Sequence, residues 1–294
     1  MNDAGRHVAH IAINLDALLN ELRNALQLNL TLYSVAMHSK LDHLDALPRF
    51  QVNNVSSQFS QAFEWTLERA LSEHRQWALK NAMRDALEGA VKFIESAYVV
   101  LSIWKVTGNA AVGGREVFVP VEDWRQAVEV APNRFNRCTI PDKFKALAED
   151  HGVSVDPVLE TQFRSINQLR NCLVHRGGIV GAKDLDAGSE TFEVCWRDME
   201  FVVDKGDGPT PLEFGKVLEK GAILGIRFSD KRKAFRIGET IELSETEFAG
   251  MMWGLSHFGA DLVKNVSAVG VALGVVTLNS SIDNSKDGPA SGGC

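Results

Sequence analysis

The feature that most limits the fold of this chain is a long segment in which nothing interrupts a helical pattern. Between residues 57 and 105 there is no proline, and Gly89 is the only glycine. Apolar and semi-polar residues recur three or four positions apart, as on one face of an α-helix; they are Phe59, Phe63, Leu67, Leu71, His74 and Ala78. Because one helix of this length is unusual in a globular protein, we expect two helices or one kinked helix.

Further helices are predicted on both sides of this segment. An apolar stripe before it indicates a first helix, and its members are Ile11, Leu15, Leu18, Leu22, Leu26, Leu30 and Tyr33. After it, Pro120 precedes a short helical pattern that we expect Pro132 to end, because proline lacks the N–H that a helix interior needs. Pro141 then fits the first turn of another helix, which ends before Gly152.

Two later helices have recognisable ends. Asp156 and Pro157 fit the N-cap and the first turn of a helix that Gly177 closes. Its apolar positions are Leu159, Phe163, Ile166, Leu169 and Leu173. The Ser-x-x-Glu sequence at 244–247 is a capping box and predicts the start of the last helix.

Between these two helices the period of the apolar residues changes. They alternate with other residues in three short runs, as in half-buried strands. The runs are Phe192, Val194 and Trp196; Leu224, Ile226 and Phe228; and Phe235 with Ile237. The polar segment Ser229–Lys233 is interpreted as a hairpin turn. This pattern predicts a small antiparallel sheet.

These elements predict a mainly α protein, in which a helical bundle is followed by a smaller α+β C-terminal part with a short antiparallel sheet. We expect the helical domain to span residues 1–182, with its core at about 56–180. The α+β region is expected to span 183–278. Residues 279–294 are rich in Ser, Asn, Gly and Asp, which predicts a disordered tail.

Composition and charge exclude several classes of protein. The 294-residue chain has 45% hydrophobic and 23% charged residues, which excludes a mainly disordered or collagenous protein. Its 31 basic and 38 acidic residues give a net charge of −7, which argues against a broad, non-specific nucleic-acid binder. The segment 130–178 has more basic than acidic residues, so a focused site for phosphates is compatible with this charge.

The cysteines and apolar stretches predict the location of the protein. Four cysteines lie far apart without a Cys-x-x-Cys pair, which argues against a zinc ribbon and fits a reducing compartment. The N-terminus shows no apolar signal core. The longest apolar stretch, Val266–Leu278, is too short and too interrupted to span a bilayer. We therefore expect a cytoplasmic protein that is not associated with a membrane.

The helix that begins after Asp156 has an unusual polar face. At about 100° per residue, six polar side chains share one stripe opposite the apolar positions; they are Glu160, Arg164, Asn167, Gln168, Asn171 and His175. A solvated face usually carries Lys and Glu, whereas Arg, Asn, Gln and His make directional hydrogen bonds. Three arginines on this helix, Arg164, Arg170 and Arg176, suit phosphate recognition. An amphipathic helix with a solvated face has the same period and stays an alternative.

Arg170 lies beside this stripe rather than on it. Its direction differs by about 140° from that of His175. The two side chains are therefore expected to meet one ligand only through the long arm of Arg170 or across a partner helix. Asn171 and His175 are four residues apart and can touch directly.

The sequence Arg-Asn-Cys-Leu-Val-His at 170–175, followed by Arg-Gly-Gly, resembles the signature of the HEPN superfamily. That motif is an arginine, four to six residues and a histidine, often with asparagine directly after the arginine, late in an all-helical domain. The resemblance implies metal-independent endoribonuclease activity at a composite site in a homodimer. Many members are toxins of toxin–antitoxin systems or anti-phage defence effectors. Others have lost activity and bind nucleic acid, a nucleotide or a protein partner.

The resemblance also implies roles for individual residues. His175 is expected to transfer protons, since an imidazole titrates near neutral pH. Arg170 is expected to stabilise charge on the phosphate, and Asn171 to orient His175 or the substrate. Neighbouring phosphates are expected to bind Arg164, Gln168 and Arg176. The implied partners are RNA, a second copy of the chain and an antitoxin or defence-complex protein, with no cofactor and no metal.

Simpler interpretations stay open. In one of them, His175 has no catalytic role and only stabilises the C-terminal end of its helix, where a cation interacts favourably with the helix dipole. A non-catalytic binding module, or a structural helix with an accidental motif, also fits the pattern.

Two other clusters have weaker patterns. A basic group is interpreted either as a solvated loop or as a basic rim for RNA; its members are Arg134, Arg137, Lys143 and Lys145. A second group has a histidine spacing that is wrong for a metal pair on one helix face; its members are His38, Asp42, His43 and Asp45.

Overall fold

The computed structural model describes residues 14–39, 66–108, 119–186, 188–204, 206, 208–212 and 221–275. Its α-helices are α1 Leu15–His38, α2 Leu67–Thr107, α3 Val121–Arg125, α4 Ala131–Asn136, α5 Ile140–His151, α6 Pro157–His175 and α7 Glu245–Ala272. Its strands are β1 Thr191–Asp204, β2 Pro209–Pro211 and β3 Ile223–Arg236. The predicted fold, mainly α with a short antiparallel sheet in the C-terminal part, is confirmed. The predicted tail at 279–294 and the start of the long helical pattern at 57–65 lie outside the described residues.

The long pattern forms one α-helix of 41 residues, α2, so the prediction of two helices is wrong. Thr66 caps its start, where the backbone N–H of Arg69 donates to Thr66 Oγ1 (3.2 Å). The helix stays continuous because α1, α5, α6 and α7 all pack along it, and tertiary packing rather than propensity stabilises most helices. Gly89 lets α1 approach closely, since a Cβ there would lie 3.5 Å from that of Ala25.

Pro132 does not end the helix before it, contrary to the prediction. Helix α3 passes into a π-helical turn at Gln126–Val130 and then directly into α4. The backbone N–H of Ala131 donates to the carbonyl of Gln126, five residues earlier. Pro132 occupies the first turn of α4, where the missing N–H is no loss, and the wider π turn makes room for its ring.

The sheet has the order β2-β1-β3, and both pairs are antiparallel. The predicted turn at Ser229–Lys233 is wrong, because this segment lies in the middle of β3, opposite β1. It contains no glycine, proline or asparagine to form a tight turn. Its charges instead pair across the strands, as between Asp230 and Arg197 (3.1 Å) and between Arg232 and Glu193 (3.7 Å).

One hydrophobic core connects the two predicted parts of the chain. It contains buried residues of α1, α2, α5, α6, β1, β3 and α7. The first and last helices approach closely within it: a Cβ at Gly259 of α7 would lie 2.6 Å from a methyl of Leu22 in α1. The predicted boundary at residue 182 therefore coincides with a change of secondary structure, while the core continues across it. Whether the parts are separate domains stays a prediction.

The capping box and the last helix are as predicted. Glu247 N–H donates to Ser244 Oγ (3.2 Å), and Ser244 N–H donates to the Glu247 carboxylate (2.7 Å). Of the helices in the described ranges, α7 included, none is both long enough and apolar enough to cross a membrane.

Candidate active site

Helix α6 places the polar motif on the outside of the bundle. Val158 N–H donates to Asp156 Oδ1 (2.7 Å), so the predicted N-cap is confirmed. The helix buries its apolar face, including Phe163, Leu169 and Leu173, against the core. The opposite stripe therefore faces outward.

The C-terminal end of α6 is fixed by the backbone that follows it. Gly178 N–H donates to the carbonyl of Cys172 (3.1 Å), and Gly177 and Gly178 have φ of 65° and 78°, which suit glycine. Ile241 N–H then donates to the Gly178 carbonyl (2.8 Å), while the Gln76 side chain of α2 donates to Ile241 O (3.1 Å). These bonds hold the residues just before this end, including the motif, against α2.

Arg170, Asn171 and His175 meet within one chain. Arg170 Nη1 donates to Asn171 Oδ1 (3.1 Å) and lies 3.5 Å from His175 Nε2. The long arm of Arg170 thus spans the angle between the two directions, which was one of the two predicted arrangements. Because a guanidinium has only donors, Nε2 of His175 is the acceptor in this contact. His175 itself is exposed, so a ligand can reach it.

Glu88 of α2 completes this group, and the sequence analysis missed it. Its Oε1 lies 3.6 Å from Arg170 Nη2, and about half of its side chain is exposed. Arg170 therefore lies between a carboxylate on one side and an amide and an imidazole on the other. No spacing signal could have found Glu88, because the contact exists only once α2 and α6 are packed together.

Arg176 has a partner that the sequence analysis did not anticipate. Its Nη2 forms an ion pair with Asp184, whose side chain is only 1% exposed. The other oxygen of Asp184 accepts from Gly181 N–H (2.9 Å). The guanidinium of Arg176 therefore binds the loop that follows α6. This ion pair competes with the predicted binding of a phosphate by Arg176.

Arg164 and Gln168 extend the polar face toward the start of α6. Arg164 pairs with Glu160 one turn earlier (2.5 Å) and is about half exposed. Gln168 is exposed. Both side chains lie on the same outward stripe as His175.

The basic group near residue 140 is mostly helical rather than a solvated loop, and Arg134, Arg137 and Lys145 are exposed, so a basic rim for RNA stays a prediction for these three. Its residues belong to α4 and α5 and the link between them. Lys143 is buried, pairs with Glu95 of α2 (3.0 Å) and donates to the carbonyl of Phe135 (2.7 Å). Those interpretations are therefore wrong for Lys143, which ties α5 to α2.

A second titratable cluster lies between α2 and α5. The hydroxyl of Tyr98 donates to Asp150 (2.7 Å), and His151 Nε2 lies 3.3 Å from Ser102 Oγ. Burial, and then the charge of Lys105, lowers the pKa of His151 to about 4. Ser102 is buried, so this cluster stabilises the bundle rather than facing a ligand.

Of the histidines and aspartates near residue 40, for which a metal site was not expected, only His38 belongs to the described residues. His38 lies 3.0 Å from Glu245, while Asp42, His43 and Asp45 lie outside the described residues. Within the described ranges, no group of three or more His, Cys, Asp or Glu residues has an arrangement suited to a metal ion.

No protein-family model, no curated protein and no solved structure matches this chain.

Proposed function

We propose that this chain is a metal-independent endoribonuclease whose site is the outward face of α6 around Arg170, Asn171 and His175. The observation that supports this most is the contact of one guanidinium with both Asn171 and His175, next to an exposed imidazole. The resemblance to the HEPN motif supports the same reaction and a homodimer in which two such faces converge.

The chemistry needs few protein groups, because RNA carries its own nucleophile. The 2′-oxygen attacks the adjacent phosphorus, the bond to the 5′-oxygen breaks, and a 2′,3′-cyclic phosphate and a 5′-hydroxyl remain. When RNA binds, Arg170 turns from His175 Nε2 to the phosphate, and the freed Nε2 takes the proton of the 2′-hydroxyl. Arg170 stabilises the negative charge that develops on the phosphate oxygens. The leaving oxygen takes its proton from solvent or from His175 of a second copy.

The neighbouring residues position the RNA. Arg164 and Gln168 bind flanking phosphates along the outward stripe. Arg176 acts mainly by holding the loop after α6 through Asp184. Because the net charge of the chain is −7, the affinity for RNA is modest, and it falls as the salt concentration rises. In this proposal the protein acts in the cytoplasm, as a toxin or an anti-phage effector restrained by an antitoxin or another defence component.

A specific observation favours the second candidate, a catalytically inactive module that binds nucleic acid, a nucleotide or a protein. The three arginines of α6 each lie close to a carboxylate, in the pairs Arg164–Glu160, Arg170–Glu88 and Arg176–Asp184. These pairs reduce the positive potential that a phosphate meets. Under this alternative, Arg170→Ala weakens binding and RNA is never cleaved.

The test is cleavage of RNA by the purified protein in EDTA. We expect cleavage by the wild-type protein and its loss in His175→Ala, with an unchanged circular-dichroism melting curve. His38→Ala is the matched control, since His38 is also exposed but lies at the end of α1. Full activity in His175→Ala would overturn the assignment, and no cleavage by any form would favour the binding module.

A further inference from the structure

Strands β1 and β3 pair antiparallel although β2 lies between them in the chain, and the outer half of this pair has one face that is entirely apolar. Directly opposite residues of an antiparallel pair share a face, and alternate residues of a strand share a side. The register pairs Met199 with Phe228, Phe201 with Ile226 and Val203 with Leu224. We call these six residues the hairpin face.

The β3 side of the hairpin face is exposed. Leu224, Ile226 and Phe228 are 54%, 54% and 49% exposed, whereas Phe192 and Phe235, on the opposite face at the other end of the same strands, are buried. The alternating pattern predicted half-buried strands along the whole length. Contiguous exposed apolar side chains of this kind mark interaction sites in soluble proteins.

The hairpin face ends in a cavity of about 150 Å³ between α1, α7 and the sheet. The Phe228 ring forms its wall and stacks on the His257 ring, with centroids 4.9 Å apart. Trp253 is beside it and 44% exposed. His257 Nδ1 is buried with no hydrogen-bond partner in the described part of the chain. Arg23 and Arg197 line the same cavity, and Trp and Arg are the side chains most enriched at binding hot spots.

The charges at the cavity favour an anion. Arg197 is neutralised by Asp230, which lies 3.1 Å away and also accepts from Gln162 (2.9 Å). Burial, and then the charge of Arg197, lowers the pKa of His257, although Asp261 and Asp156 oppose this shift. Arg23 is exposed, and among the described residues it has no ion pair. No carboxylate lines the cavity, and of its two lining arginines only Arg23 has no ion pair among the described residues.

We propose that the hairpin face and this cavity bind an acidic, apolar segment of a partner protein. Its apolar side chains cover Leu224, Ile226 and Phe228, and its carboxylate pairs with Arg23. RNA fits less well, because the face is mostly aliphatic, whereas single strands need aromatic platforms and a series of cations. This inference is independent of whether α6 cleaves RNA.

Photo-cross-linking in the native host tests the proposal. Benzoylphenylalanine replaces Ile226 in the full chain, and a control carries it at Trp77, an exposed aromatic residue of α2 that does not line the cavity. We expect the Ile226 probe to cross-link a segment of another protein that contains both apolar and acidic residues. Adding Arg23→Glu should lower the yield about tenfold or more, with an unchanged melting curve.

A charge swap on the cross-linked segment completes the test. A synthetic peptide with the sequence of that segment should bind the wild-type protein, and its acidic-to-lysine variant should bind Arg23→Glu better than wild type. The proposal is overturned if the Ile226 probe cross-links only RNA, only a second copy, only its own chain or nothing. It is also overturned if Arg23→Glu leaves the yield unchanged.

Discussion

The outward face of α6 and the hairpin face present opposite chemistry to solvent. On α6, polar side chains contact one another, as Arg170 contacts Asn171, His175 and Glu88. On the hairpin, apolar side chains of β3 are left in water. The comparison suggests two tasks on one body: α6 holds a preorganised polar group that suits chemistry, and the hairpin offers surface that suits a partner.

The largest expected effect is on the rate of RNA cleavage, which should depend on the α6 face and not on the hairpin face. His175→Ala should lower the rate of RNA cleavage by about 10²–10⁴-fold, the usual contribution of a general acid or base. Phe228→Ser, on the hairpin face, should leave the rate unchanged because it lies on the sheet rather than on α6. Initial rates on one RNA substrate, measured for both variants, test this. Equal losses in the two variants would show that the faces are not independent.

The next effect concerns the support of the α6 face. Asp184→Ala leaves Arg176 without its buried partner, and we expect a loss of about 2 kcal/mol in the free energy of unfolding. Asp186→Ala, two residues away and exposed, serves as the control and should change stability little. Urea unfolding followed by circular dichroism measures both. A stable Asp184→Ala protein would mean that this ion pair does not hold the loop after α6.

The pH dependence of the free energy of unfolding tests the helical bundle that carries both faces. The pKa of His151 is lowered to about 4 in the folded state, while the unfolded chain has the ordinary value of 6.5. Between these values the unfolded state binds more protons, so stability should be full above pH 6.5 and fall as the pH drops toward 4. Urea midpoints at several pH values should show this fall, and His151→Gln should reduce its slope. An unchanged slope in that variant would assign the effect to other groups.

The smallest effect is expected on the hairpin face itself. Ile226→Ser should change the free energy of unfolding by no more than about 0.5 kcal/mol, because the side chain is already exposed. Val194→Ala, at a fully buried position of β1, should cost about 1–2 kcal/mol. Unfolding curves for the two variants compare the hairpin face with the buried opposite face of the same strands. A large loss in Ile226→Ser would show that the face is covered within the chain.

Local signals in the sequence predicted much of the fold. The caps at Asp156 and Ser244 satisfy helix ends through neighbouring atoms, and Pro157 fits the first turn of α6, so a short stretch of sequence is sufficient to find them. The outward stripe of α6 followed from its period for the same reason.

Most of the errors involve contacts between distant segments, whereas the error at Pro132 has a local cause. Pro132 was tolerated because a π turn precedes it, and Ser229–Lys233 became strand because β1 offers opposite charges. Within the candidate site, Glu88 and Asp184 were missed because nothing in local spacing shows which side chain α2 or a later loop brings to Arg170 and Arg176.

The most direct measurement uses an RNA oligonucleotide with a 2′-deoxy residue on the 5′ side of its cleaved bond, assayed in EDTA. The proposed reaction requires the 2′-hydroxyl as nucleophile, so cleavage at that bond should stop. The unmodified RNA should give 2′,3′-cyclic phosphate ends by mass spectrometry. Cleavage at an unchanged rate next to the 2′-deoxy residue would contradict the proposed function of the α6 face.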